Sequence, residues 1–321
     1  MKKYKAKAHA NIALIKYWGK ENEDLIIPNN NSLFMTLDNL YTETIVNFTD
    51  NNKDLFYLDN ELQGEKETEK ISKYIDIFRK LAQSNKRVEI HSFNHVPTAA
   101  GLASSASGFA ALCSALNSLF ELNFDKENLT KLARLGSGSA SRSIYGGFVE
   151  WNKGFDHETS YSVKIDDGDL DIAMIILVLN EEKKEISSRL AMKQTVETSP
   201  LYPSFVESSK DDIKKIKKAI KDRDFDTIGK IAEHNAMKMH ATMLGANPPI
   251  IYLKEKSIQA INKVKELRKM GLSVYYTMDA GPNVKLIVKK SEIEKIVEHL
   301  KEFENIIISN IGNDVIVEEI V

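Results

Sequence analysis

The stretch from Pro97 to Leu112 sets alanines, glycines and serines in a loop that runs straight into an apolar helix. Small side chains let another molecule approach the backbone. A helix starting among Ser104, Ser105 and Ser107 aims free N–H groups and hydroxyls at that molecule. The chemistry this suits is anion binding, phosphate above all, with Ala99, Gly101, Ser104, Ser105 and Ser107 as candidate contacts. No Gly-Lys-Ser/Thr follows, which excludes a Walker P-loop. The same composition also suits a helix packed closely on its neighbours, and composition does not separate the two.

Other segments carry groups that could act on the same anion. The apolar run Asn11–Ile15 ends in Lys16, Tyr17, Gly19 and Lys20. A lysine is a compact point charge suited to phosphate, and a tyrosine hydroxyl adds one hydrogen bond. Ser137, Gly138 and Ser139 are followed within one turn by Arg142, so hydroxyls, backbone N–H groups and a guanidinium could converge on a carboxylate or phosphate. A basic cluster runs from Lys183 and Lys184 to Ser187, Ser188 and Arg189; a charge run of this kind is often simply solvated. Asp279 ends a strand-like run just before Gly281 and Pro282. A carboxylate fixed there could orient a hydroxyl or take its proton, or merely close a turn. His240 lies among methionines spaced for a helix core and reads as a buried histidine. The seven histidines show no metal-ligand spacing, and no structural zinc is expected.

These side chains need a scaffold, and 321 residues with 42% hydrophobic content supply one large domain or two medium ones. Forty-four basic against 46 acidic side chains give a net charge of -2, which lends no support to a general nucleic-acid or membrane surface. Any anion must therefore be held by local clusters. The single cysteine, Cys113, falls among apolar residues and reads as core. No apolar run approaches a transmembrane length, and the N-terminus lacks a signal-peptide segment. The sequons at Asn30 and Asn47 are then chance matches, and a cytoplasmic protein is expected.

Alternation and turn residues predict strands over 5–10, 41–48, 55–58, 87–91, 145–151 and 170–179, with helices over 68–82 and 126–135. Helical patterns dominate from the charged run at 181–185 to about Met270, with Pro200 and Pro203 at one helix start and Pro248-Pro249 at another. Strands over 272–278 and 283–288, a helix over 291–302 and strands over 305–309 and 314–318 complete the chain. The pattern implies two α+β lobes, 1–180 and 181–321, with a small-molecule cleft between them.

Taken together, the segments are more specific than any one alone. The chain resembles the GHMP family of small-molecule kinases, and within it the diphosphomevalonate decarboxylase branch, over nearly its whole length. The phosphate loop corresponds to Pro97–Ser107. The branch is marked by three strings, Asn11–Lys20, Gly136–Gly147 and Met278–Asn283. The resemblance implies a two-lobed GHMP-kinase fold of α+β class. Its N-terminal lobe would be ribosomal-protein-S5-like with a left-handed βαβ crossover, its C-terminal lobe ferredoxin-like. It implies that ATP and (R)-5-diphosphomevalonate give isopentenyl diphosphate, ADP, phosphate and carbon dioxide. Asp279 would orient or deprotonate the 3-hydroxyl. Arg142 and Ser188 would meet the carboxylate or hydroxyl. Arg189, Tyr17, Lys20, Ser137, Gly138 and Ser139 would take the diphosphate. Ser104 and Ser105 would hold ATP phosphates, with Lys183 near the γ-phosphate. Mg²⁺ would be bound through the nucleotide and water, and a homodimer is implied. Phe34 stands where the family often has a second serine, a position expected on the nucleotide side. A relative that phosphorylates mevalonate or its monophosphate is the near alternative, disfavoured by the number of diphosphate contacts. A catalytically silent nucleotide binder is the distant one, disfavoured by Asp279.

Overall fold

The computed structural model describes residues 2–96, 104–179 and 186–320. β1 (Lys3–Ile15) leads through a small hairpin, β2 (Lys20–Asn22) and β3 (Ile27–Pro28), into the long β4 (Ser32–Thr49). Then follow β5 (Leu55–Leu58), β6 (Glu61–Leu62), α1 (Glu65–Leu81) and β7 (Arg87–Asn94). Next come α2 (Ser104–Leu119), α3 (Lys126–Gly136), a 3-10 helix at Gly138–Ile144, β8 (Phe148–Trp151) and β9 (Ser162–Asp166). The second half holds β10 (Ala173–Leu177), α4 (Ser188–Thr198), α5 (Tyr202–Lys221), α6 (Phe225–Leu244) and α7 (Glu255–Lys269). It closes with β11 (Val274–Met278), β12 (Val284–Val288), α8 (Ile293–Glu298), β13 (Ile306–Ser309) and β14 (Ile316–Ile320).

The class is α+β, built on two sheets. The larger runs β14-β1-β4-β7-β5-β6, with β8 paired to β4 and β9 to β8. Within it β5 and β7 run parallel, connected through β6 and α1. The smaller sheet is antiparallel, in the order β11-β12-β10-β13. Two strands join a sheet other than the one their place in the chain suggests. β10, placed before the expected boundary at 180, belongs to the second sheet, because its apolar side chains on both faces suit a strand covered on both sides. β14, at the end of the second half, returns to pair with β1.

Small residues set the packing of the first sheet. Ala6 and Ala8 of β1 meet an α2 rich in alanine, whose Ala110, Ala111 and Ala115 are fully buried. Cys113 is buried in the same core. A register shift between His9 and Asn11 then re-aims the strand. Beyond it Ile12 and Leu14 enter a different core, shared with Ile216 of α5, Ile228 of α6 and Met174 and Ile176 of β10. One strand thus ties both sheets together at the site described below.

Helix starts follow local chemistry. Asp125 and Asp224 cap α3 and α6, each carboxylate accepting from a backbone N–H, and the Ser187 hydroxyl caps α4. α1 begins at Glu65, a turn earlier than the apolar stripe predicts, since Glu65 and Glu67 suit a first turn. α7 begins at Glu255, not at Pro248-Pro249; at its start the Ser257 hydroxyl accepts from the Lys254 backbone N–H at 3.3 Å. The last helix is shorter than 291–302: α8 proper ends at Glu298, with a 3-10 turn at Lys290–Glu292 before it.

Candidate active site

Apart from Ser104 and Ser107, the candidate residues that fall within the described segments meet in one cleft of about 540 Å³. Tyr17 and Lys20 reach it from the turn after β1. Ser137, Gly138, Ser139 and Arg142 reach it from the end of α3 and the 3-10 helix. Ser105 enters from the first turn of α2, Ser188 and Arg189 from the first turn of α4, and Asp279 from the end of β11. Three helix starts therefore border the same space, where backbone N–H groups favour anions. Ala99, Gly101 and Lys183 lie outside the described residues. Ser104 begins α2 but is not part of the cleft lining. Ser107 is a correction: it is fully buried, its hydroxyl 2.7 Å from the Thr42 hydroxyl and donating to the Ser104 carbonyl at 3.2 Å. Helical phase turns it onto β4, away from the face that carries Ser105.

Asp279 sits between two lysines. Lys16 Nζ lies 2.8 Å from one carboxylate oxygen and Lys285 Nζ lies 3.2 Å from the other. Both lysine side chains are 1% exposed, while that of Asp279 keeps 31% open toward the cleft. Burial alone would raise the Asp279 pKa. The charges and hydrogen bonds of Lys16 and Lys285 outweigh burial and hold the carboxyl well below its usual range. Burial also draws Lys16 down to about 8, against the pull of Asp279.

Lys16 is fixed by its neighbours from both sheets. Its Nζ donates to Ala13 O at 2.8 Å, and its backbone N–H donates to Asn235 Oδ1 of α6 at 2.8 Å. Asn30 Nδ2 donates to its carbonyl at 2.9 Å. Behind Asp279, His240 of α6 is 3% exposed, and burial lowers its pKa to about 4, so its ring is neutral. The turn at Gly19 has φ +97°, and a Cβ there would sit 1.8 Å from the Tyr202 hydroxyl. That hydroxyl of α5 donates to Trp18 O at 2.8 Å and accepts from Asn29 at 2.7 Å.

Arg142 is 3% exposed. Its guanidinium carbon stands 3.3 Å from the centre of the Phe34 ring. Asn11 Oδ1 accepts from one terminal nitrogen at 3.4 Å, whereas Nε and the other terminal nitrogen have no partner among the described residues. Burial disfavours the charge, but a guanidinium stays protonated in proteins. A buried cation with unused donors is an anion receptor. Phe34, expected on the nucleotide side, lies instead beneath this arginine. Nearby, the Ser137 hydroxyl is 3.0 Å from that of Ser139 and donates to that of Ser105 at 3.3 Å. This line of hydroxyls joins the α2 end of the cleft to the Arg142 end. Burial raises the Tyr17 pKa, which keeps its hydroxyl a donor. Gly138 is required here: a Cβ would meet Ile26 at 2.9 Å and the Tyr17 hydroxyl at 3.3 Å.

Sequence reasoning did not place Lys285 in the site at all, and read Lys16 as a phosphate-suited lysine, not as a partner of Asp279. A signal existed in both cases: each is a lone lysine in or directly after an apolar strand. Among the described residues no group of three His, Cys, Asp or Glu side chains could hold a metal ion.

Comparison with known proteins covers nearly the whole chain. Residues 8–162 match the family model for the diphosphomevalonate decarboxylase-like N-terminal domain. Residues 174–315 match that for the mevalonate 5-diphosphate decarboxylase C-terminal domain. A diphosphomevalonate decarboxylase of Ganoderma lucidum is 38% identical, over 93% of this chain and 81% of the relative. The crystal structure of mevalonate diphosphate decarboxylase from Staphylococcus aureus is 47% identical with a TM-score of 0.95, covering 99% of this chain and 98% of that one. A structure described as MDDEF in complex with MVAPP, AMPPCP and magnesium is 44% identical with a TM-score of 0.93, over 99% of both chains.

Proposed function

The chain belongs to the diphosphomevalonate decarboxylase family, and on that premise we propose how its cleft carries out the reaction. The reaction is the ATP-dependent decarboxylation of (R)-5-diphosphomevalonate to isopentenyl diphosphate, with release of ADP, phosphate and carbon dioxide. The observation that supports it most is the pairing, in one cleft, of a lysine-held carboxylate with an arginine whose donors are unspent.

The residues fit the two substrates. A nucleoside triphosphate and a diphosphate together bring many negative charges, and Lys16, Lys20, Lys70, Arg142 and Arg189 line the cleft. Ser105, at the start of α2, faces the ATP phosphates. Tyr17, Lys20, Ser137, Gly138, Ser139 and Arg189 take the diphosphate of the other substrate. The related MVAPP, AMPPCP and magnesium complex supports the same occupants here. Mg²⁺ would enter with the nucleotide, held by its phosphates and water, and would neutralise charge there.

A tertiary hydroxyl is a poor leaving group, so it is first converted to a phosphate ester by ATP. Asp279, kept ionised by Lys16 and Lys285, accepts a hydrogen bond from the 3-hydroxyl and holds its oxygen in line with the γ-phosphate. Asp279 takes the hydroxyl proton as that oxygen bonds to the γ-phosphorus and the bond to ADP breaks. The carbon–oxygen bond to the new phosphate then breaks. The electron pair of the carbon–carboxylate bond forms the double bond as carbon dioxide departs. Arg142 and Ser188 hold the carboxylate in the geometry that allows this, and Arg142 stabilises the anionic charge. Lys183, outside the described residues, is assigned to the γ-phosphate by the family resemblance alone. The protein works as a cytoplasmic homodimer of two-lobed subunits, a reading that rests on the family resemblance; light scattering on the purified protein tests the dimer.

Incubation with ATP, Mg²⁺ and each of mevalonate, its phosphate and its diphosphate tests the function. ADP and carbon dioxide should form together and only with the diphosphate. ADP without carbon dioxide would mean a simple kinase.

A further inference from the structure

Hydrogen bonds ordinarily fix a buried guanidinium, and those of Arg142 do not suffice. Its one protein acceptor among the described residues is Asn11 Oδ1, at the long distance of 3.4 Å, and two of its three nitrogens have none. What does touch it closely is the face of Phe34, 3.3 Å from the guanidinium carbon. Trp151 and Tyr17 stand farther off, their ring centres at 5.4 and 5.8 Å. Phe34 is itself immovable. It lies inside β4, opposite Ala13 of β1 and Val149 of β8, and is 2% exposed. A ring face attracts a guanidinium and sets its plane, leaving the N–H edges free to point sideways.

We propose that Phe34 is a positioning residue for Arg142, holding the guanidinium plane so that its unpaired donor edge meets the substrate's anionic group without reordering. This inference rests on the reading that Arg142 contacts diphosphomevalonate. Without the ring, an arginine with three unsatisfied or weakly satisfied nitrogens would swing, and binding would have to order it again.

The test is a double-mutant cycle on diphosphomevalonate affinity, measured calorimetrically with wild type, Phe34→Leu, Arg142→Gln and the double variant. Phe34→Leu should weaken binding roughly tenfold, the scale of a desolvated cation–π contact. In the Arg142→Gln background the same change should cost less than about twofold. Phe34→Met, unbranched and adaptable in volume, serves in place of leucine if that variant does not fold. In the spectrum of ¹⁵N-arginine-labelled wild type, the Arg142 guanidinium resonance should be displaced by the ring and return in the non-aromatic variant. Equal losses in both backgrounds, or an Arg142 resonance that does not respond to removal of the ring, would overturn the proposal. If Arg142→Gln binds like wild type, the substrate contact itself is wrong and the positioning role falls with it. If only Arg142→Gln weakens binding, the contact stands and Phe34 is ruled out.

Discussion

The cleft turns on a carboxylate that two buried lysines keep charged. Asp279→Asn preserves shape but removes the one carboxylate that pairs with Lys16 and Lys285 among the described residues. Turnover should be lost while diphosphomevalonate still binds, as measured by carbon dioxide release and calorimetry. The structure adds a second effect. Two stranded cations should lower stability by roughly 3 kcal/mol at neutral pH. That loss should shrink as pH rises and Lys16 sheds its proton; a denaturation series at pH 7 and pH 9 would show it. In wild type the sign is that of a depressed carboxyl: the stabilisation is present above the unfolded value of 3.8 and is lost only as pH falls below it. Activity has a different limit. Lys16, near 8, loses its charge as pH rises, so kcat/KM should fall through an apparent pKa close to that value. Lys16→Arg should move this limb upward, and an unmoved limb would assign it elsewhere. His240 is neutral from about pH 5 upward and contributes no limb near neutrality.

At the scale of elements, the site depends on where strands stop and helices start. The turn after β1 shows this most sharply. Gly19 combines a positive φ with contact against Tyr202 of α5, so Gly19→Ala should cost about 2 kcal/mol or more. Because the same turn carries Tyr17 and Lys20, the KM for diphosphomevalonate should rise as well; a thermal scan and steady-state kinetics check both. Much at this scale was readable in the sequence. Asp279 before Gly281-Pro282, and Arg142 after its serines, announced the ends of elements through turn residues. Ser107 was misread because composition cannot tell which face of a helix a serine occupies, and only the packing of α2 on β4 decides it. Lys285 was missed because its partner lies across a β-turn and its other ally, Lys16, more than 260 residues away. Local pattern marks a lysine inside an apolar strand but does not name its partner.

For the whole molecule, the cleft is where the two sheets meet. Lys16 and Arg142 come from the side of the larger sheet, Asp279 and Lys285 from the smaller. The α+β class and the order of strands and helices could be read from alternation and turns. The pairing could not: β10 and β14 change sheets relative to their place in the chain, and which edge a short strand joins is set by tertiary contacts. The clamp of Tyr202 on Trp18 and Gly19 joins the halves of the molecule, so Tyr202→Phe should weaken their union. The loss should be about 1–2 kcal/mol, read as a lower midpoint in urea. An unchanged midpoint would mean that packing alone holds them.

The return of β14 to β1 bears on how the protein is made. β1 finds one of its two neighbours only in β14, which is synthesised long after it. Until then the β1 edge stays open, with its backbone donors and acceptors unpaired, and the larger sheet cannot close during translation. Chains that lack β14 should therefore be the sticky forms of this protein. A chain ending at Asn313 should partition to the insoluble fraction on expression, and a synthetic peptide spanning 314–321 should draw part of it back into solution.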